Sequence, residues 1–215
     1  MAARNLGSTT THPGASPSGS ATELAGAASV AGAFLQSAVG GESLSIEGGP
    51  KRRRARFHPL TVAEVRPLTD DAVEVTFDVP DELADDYTYL PGQYVAIRAT
   101  LDGKELRRSY SICRPPARGS ISVAIKRDLG GLFSTWANSE LEAGDTLDVM
   151  SPEGTFTSTL DELDGKHLVG IAAGSGITPL MALAATVLAR SATSRFTLVY
   201  TNRSSLDVMF LEELA

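Results

Sequence analysis

Val73-Glu74-Val75-Thr76-Phe77-Asp78-Val79 alternates apolar and polar side chains at every step. A period of two belongs to a half-buried antiparallel strand, with the valines and Phe77 on a packed face and Glu74, Thr76 and Asp78 on a wet one. Around it, residues 60–68, 94–101, 106–113, 120–127 and 146–150 read as further short strands. Asp102-Gly103 marks a hairpin between two of them, because both residues tolerate the positive φ of a tight turn. A single helix is expected over residues 132–141. Six short strands and one helix close, or nearly close, into a small antiparallel β-barrel.

Past Gly165 the texture changes. Residues 167–172 form a continuous apolar run, as expected of a strand covered on both faces. A Gly-rich turn, a helix over 179–190, a strand over 196–201 and the start of a helix near Asp207 complete a βαβ unit. The fold class is thus β + α/β: a six-stranded antiparallel barrel followed by an incomplete parallel sheet. Upstream, the first fifty residues are Ala, Gly, Ser and Thr with only Arg4, Glu23, Glu42 and Glu47 charged. Such a segment cannot recover its ordering entropy by burial and is expected to be a disordered tail. Residues 24–39 are mostly Ala and Gly, contain Ser29, Gln36 and Ser37, and are too short to span a membrane.

Charge and cysteine content narrow the function. The 19 basic residues stand against 26 acidic ones, a net charge of −7, which disfavours a polyanionic partner. Lys51, Arg52, Arg53, Arg54 and Arg56 form a basic run that would suit nucleic acid, but the rest of the chain would repel it, and a solvated linker is the simpler reading. The single cysteine, Cys113, excludes an internal disulfide, a four-thiolate zinc site and an iron–sulfur cluster within this chain, and suits the cytoplasm. His12, His58 and His167 have no companions at ligand spacing, so no metal site is expected.

Three segments carry candidate chemistry. In the first, Arg108 and Tyr110 project from one face of a strand, with Ser111 on the other unless the strand ends there. A guanidinium fork suits a pyrophosphate, an aromatic ring the side of a flat heterocycle, and a hydroxyl a ring nitrogen. An ordinary edge strand could carry the same three residues. In the second, Gly130, Gly131, Leu132, Phe133 and Ser134 open a helix whose free amides favour an anion, although a plain strand-to-helix turn reads the same way. In the third, Gly174, Ser175 and Gly176 precede a helix for which Thr178 is the expected N-cap and Pro179 the first residue, a geometry that cradles a diphosphate. The spacing is not G-x-G-x-x-G, so the standard dinucleotide fingerprint is not met.

In this order the segments resemble the ferredoxin–NADP reductase family. Phe57-His-Pro-Leu-Thr-Val-Ala63, Glu105-Leu-Arg-Arg-Ser-Tyr-Ser-Ile-Cys-Arg114, Ile171-Ala-Ala-Gly-Ser-Gly-Ile-Thr-Pro179 and Phe196-Thr-Leu-Val-Tyr-Thr-Asn-Arg203 are similar to the reductase subunits of phenylacetyl-coenzyme A epoxidases. The resemblance implies a tail and linker over 1–56, an FAD-binding barrel over 57–160 and a partial NAD(P)-binding domain over 161–215. It implies hydride transfer from NAD(P)H to FAD and electron release to an iron–sulfur acceptor or oxygenase component, as in phenylacetate catabolism.

By the same resemblance Arg108 would bind the FAD diphosphate, Tyr110 would pack on the flavin, and Ser111 would hydrogen-bond near N5 as the catalytic group. Ile125 and Lys126 would line the adenine side through their backbones, and Gly131, Leu132, Phe133 and Ser134 would supply diphosphate amides. Gly174, Ser175, Gly176 and Thr178 would hold the nicotinamide nucleotide, with Asn202 and Arg203 near its adenosine. Relatives carry a further segment with four cysteines for a [2Fe-2S] cluster, so the chain reads as a fragment and that cluster is expected only if such a segment exists. A flavin-binding fragment without efficient turnover is the alternative expectation. Partners on nucleic acid or a membrane are not expected.

Overall fold

The computed structural model describes residues 55–157 and 163–215. The tail and most of the basic run lie outside the described residues. Arg56 does not: its backbone exchanges hydrogen bonds with Ser151 just ahead of the first strand.

Six strands form the barrel: β1 (Phe57–Thr69), β2 (Ala72–Asp78), β3 (Tyr94–Leu101), β4 (Lys104–Ser111), β5 (Ser120–Lys126) and β6 (Thr146–Met150), in the order β4-β3-β6-β1-β2-β5, all antiparallel. An isolated bridge between Ile112 and Val123 joins the two ends of this order. The 13-residue β1 pairs with β6 through its first half and with β2 through its second, bulging between Val62 and Glu64 as it bends round the core. Asp102 and Gly103 have φ of 50° and 73°, the tight hairpin read from the sequence. Val75, Phe77, Val95, Ile97, Ile121 and Val149 fill the interior, and α1 (Leu132–Ser139) plugs one end with Phe133.

The second region comprises β7 (His167–Ala173), α2 (Ile177–Arg190), β8 (Arg195–Thr201) and the short α3 (Leu211–Leu214). β7 and β8 pair in parallel, residue for residue from His167–Arg195 to Ala173–Thr201. These layers pack closely at Gly170, where a Cβ would fall 2.8 Å from the Phe196 ring and 3.1 Å from Leu180 Cδ1.

Three expectations change in the folded chain. β7 is covered on one face only, by α2: on the other, Val169 is 59% exposed, Ile171 76% and Val199 of β8 48%. The apolar run reported hydrophobicity on both faces, but only one has a neighbour among the described residues. Helix α2 starts at Ile177 with Gly176 as its N-cap, so Thr178 lies inside the first turn and Pro179 follows it. Pro179 costs no hydrogen bond there, because first-turn amides lack an i−4 partner in any case. The expected wet face of β2 is covered at one end: Glu74 is 4% exposed where Met209 and Phe210 pack with Ala72, Cys113 and Ala124 against the outside of the barrel, whereas Thr76 is half-buried and Asp78 exposed.

Candidate functional site

Strand β4 sets the first group of site residues. Arg108 stands opposite Ile97 and Tyr110 opposite Val95, and both of those partners are fully buried, so Arg108 and Tyr110 lie on the barrel's inner face at its rim. Ser111, opposite Tyr94, is the last residue of β4 and has the reverse orientation. The Tyr110 ring lies 5.8 Å from that of Phe133, which in turn lies 5.7 Å from Trp136, so an aromatic row joins β4 to α1. Burial pushes the Tyr110 phenol up and keeps it protonated, with the charges of Arg108 and Asp128 acting on it in opposite senses. Arg108 is exposed, donates from Nη1 to the Arg107 carbonyl at 2.8 Å, and has no carboxylate partner among the described residues.

The Gly130–Gly131 turn folds back on itself. Gly130 has φ of 74°, and the Gly131 amide donates to the Asp128 carbonyl at 3.0 Å. Ser134 Oγ accepts from the Asp128 amide at 3.0 Å and donates to the Gly131 carbonyl at 3.3 Å. The Ser134 hydroxyl is therefore committed to the loop, and any contact with an anion falls to backbone amides. No side chain caps α1, whose first turn keeps the unpaired N–H groups that attract phosphate. Leu132 is exposed beside them, whereas the Phe133 and Ile125 side chains are core and could face a ligand only through their backbones. The Ile125 carbonyl already accepts from Asn138 at 3.1 Å.

At the third segment Gly174 has φ of 49°, and a Cβ built at Gly174 or Gly176 meets nothing within 4 Å, so open space lies over the turn. Helix α2 too has no side-chain cap. Thr178 is buried and donates to the Ser175 carbonyl at 2.8 Å, which shapes the turn and leaves its hydroxyl spent. Asn202 is half-buried at the end of β8. Arg203 is 77% exposed on its side chain and faces Asp207 at 3.4 Å and Asp71 at 3.7 Å; Lys126 pairs with the same two carboxylates at 3.5 and 2.9 Å. These two cations thus share one ion cluster.

Sequence reading missed a second cluster, built on Glu74. Burial alone would raise this carboxyl, but hydrogen bonds from Arg114 and Arg66 outweigh it and hold it below the usual range. Its members are far apart in the chain, and the one hint was an arginine directly after Cys113. Burial pushes the Cys113 thiol up, which makes it a structural group. No group of three potential metal ligands exists among the described residues. A groove of about 490 Å³ between β3, β6 and α1, lined by Arg98, Glu105, Trp136 and Glu140 among others, contains none of the candidate site residues.

Arg108, the half-buried Tyr110 and the uncapped start of α1 thus lie along one barrel rim, with Arg108 lacking a carboxylate partner among the described residues. Residues 59–158 match the family described as the oxidoreductase FAD-binding domain. The matched segment is a ferredoxin reductase-like FAD-binding oxidoreductase domain. This FAD-binding chain is 49% identical over 160 residues to a subunit of the 1,2-phenylacetyl-CoA epoxidase of Escherichia coli, covering 74% of this chain and 45% of that protein. It is 37% identical to the ferredoxin reductase component of the 3-ketosteroid-9-alpha-monooxygenase of Rhodococcus rhodochrous, over 72% of this chain and 44% of that one. Among solved structures, an Amycolatopsis cytochrome P450 reductase superposes with a TM-score of 0.65 at 30% identity, covering 74% of this chain and 47% of that chain. The FAD-binding chain thus spans about half the length of the curated relatives it matches. Among the described residues, no helix is long and apolar enough to cross a membrane.

Proposed function

We propose that this chain is the flavin-holding part of an NAD(P)H-dependent reductase that supplies electrons to an oxygenase of the phenylacetyl-coenzyme A epoxidase kind, through an iron–sulfur or oxygenase partner in the cytoplasm. The observation that carries the reading is Arg108: a guanidinium with no carboxylate partner among the described residues, on the same face as Tyr110 and at the rim where α1 begins uncapped. Charge left unpaired beside free amides is suited to a diphosphate.

When bound, FAD takes a hydride from a reduced nicotinamide and releases electrons singly. Arg108 and the first amides of α1 hold its diphosphate. Tyr110, neutral and braced by Phe133, offers an apolar flank to the ring system and excludes water from it. Ser111, at the end of β4, donates a hydrogen bond close to where negative charge develops. The Gly174–Gly176 turn and the start of α2 receive the nicotinamide nucleotide, with Asn202 and Arg203 toward its adenosine. The domain division at residue 160 follows from this assignment.

FAD-loaded chain mixed anaerobically with NADH or NADPH tests the proposal: rapid loss of the oxidised flavin absorbance is expected. A second reading, FAD binding without efficient turnover, is favoured by the exposed apolar face of β7–β8, which among the described residues leaves the nucleotide region with packing on one side only. Yellow protein that neither nucleotide bleaches would select it, and protein that stays colourless with excess FAD would exclude both.

A further inference from the structure

Beneath the site, on the outside of the barrel, Glu74 is held by two arginines at once. Its Oε1 and Oε2 accept from Arg114 Nε and Nη2 at 2.5 and 2.6 Å, a two-pronged fork. Oε2 also accepts from Arg66 Nε and Nη2 at 3.1 and 2.7 Å. The same two guanidiniums reach across to α3, where Glu213 Oε1 accepts from Arg66 Nη2 at 2.5 Å and from Arg114 Nη2 at 2.9 Å. Two carboxylates and two guanidiniums alternate around a closed ring.

The ring touches both halves of the proposed reaction. Arg114 comes three residues after Ser111, and the turn between them is fixed from both sides: Tyr89 OH donates to the Arg114 and Pro115 carbonyls at 3.2 and 2.8 Å, and Cys113 Sγ lies 3.6 Å from Glu74 Oε1. On its other side Arg114 sits 5.7 Å from the centroid of the Phe210 ring, in the segment that follows β8. Ala72, Cys113, Ala124, Met209 and Phe210 belong to one buried apolar cluster on this side of the barrel.

We infer that Glu74 is a positioning residue for hydride delivery: through Arg114 and Glu213 it sets the nucleotide region against the strand end that carries Ser111. This rests on the function proposed above. An ion ring closed on one buried carboxylate is an inefficient way to add stability, because well-packed apolar side chains do as well as or better than a buried charge pair. A bidentate guanidinium–carboxylate fork fixes orientation in a way apolar contacts do not. Orientation is what hydride transfer needs, since a displacement of about 1 Å between reacting atoms costs on the order of 100-fold in rate.

The test compares FAD-loaded full chains carrying Glu74→Gln, Arg114→Lys or Glu213→Gln with the parent and with Arg118→Ala, which removes only an exposed pair to Asp81. Anaerobic rapid mixing gives the flavin-reduction rate at saturating NADH or NADPH and the half-saturating concentration; reduction by dithionite, which needs no bound nucleotide, is the control. Glu213→Gln, which leaves the Glu74–Arg114 fork intact and acts at an exposed helix, carries the test if the buried variants fail to fold.

In Glu213→Gln and Arg114→Lys the saturating rate is expected to fall by about tenfold or more, with FAD content, half-saturation and dithionite reduction unchanged. Arg118→Ala should match the parent. Variants that melt earlier but reduce at the parent's rate would overturn the positioning role and leave a structural staple. If the parent itself binds FAD but neither nucleotide reduces it, the functional reading fails and the positioning role falls with it.

Discussion

At the scale of single residues the site depends on which polar groups are still free. Arg66, Arg98 and Arg114 are each tied to carboxylates, whereas Arg108 has none among the described residues. Replacing Arg108 with Ala removes a charge-assisted contact of about 1.5–3 kcal/mol, so the dissociation constant for FAD should rise by roughly 10- to 100-fold in a fluorescence titration. Ser111→Ala should leave that constant in place and slow flavin reduction by roughly tenfold, the effect of one lost hydrogen bond. Equal slowing and loss of affinity in both variants would show the two roles to be wrongly divided. Gly131 answers to sterics: a Cβ there would lie 2.5 Å from Ser134 Oγ, so Gly131→Ala should open the turn and lower stability by about 1–3 kcal/mol in urea unfolding. The strand that carries Arg108 and Tyr110 and the turns at the glycines were legible because alternation and turn chemistry act over a few residues. That the Ser134 and Thr178 hydroxyls are consumed by their own loops was not, because a hydroxyl's partner depends on where the turn closes.

At the scale of elements, strand and helix boundaries follow local pattern closely, and the discrepancies mark where a neighbouring element decides. Gly170 lies in the middle of β7 with the Phe196 ring of β8 and Leu180 of α2 against it. Gly170→Ala should overpack this layer at a cost of about 1–3 kcal/mol, lowering the thermal midpoint by several degrees. Ile171, one residue on, points to the bare face. Ile171→Lys should change stability by no more than about 0.5 kcal/mol, and a large loss would mean that the face is covered in solution. The apolar run over these residues could report that both faces of β7 are hydrophobic, but not which one would find a partner.

At the scale of the whole molecule, two ion clusters join the barrel to the segment after β8: Glu74 and its arginines with Glu213, and Asp71 and Lys126 with Arg203 and Asp207. For Glu74 and Glu213, burial works to raise the carboxyls, but the arginine hydrogen bonds win and leave both below their ordinary value of 4.5. Carboxylates with depressed values contribute stability that is complete above 4.5 and lost as pH falls through the folded-state values. Resistance to urea should therefore weaken from about pH 4.5 downward, and the Glu74→Gln, Glu213→Gln double variant should flatten that dependence. Glu74→Ala at neutral pH leaves two guanidiniums short of a partner and should cost about 3 kcal/mol, the low end for a broken buried pair because both arginines stay a third exposed.

The sequence by itself determined the barrel's strands, the hairpin at Asp102–Gly103 and the two glycine turns, since each rests on periodicity or on the conformational freedom of adjacent residues. Only the tertiary structure decided that Glu74 on the outer face of β2 is buried, that Arg66 and Arg114 link it to Glu213, and that Lys126 and Arg203 share two carboxylates. Those facts depend on bringing together residues up to 147 positions apart, Arg66 and Glu213. No local pattern encodes which surfaces meet at that distance, because burial of the whole chain sets them.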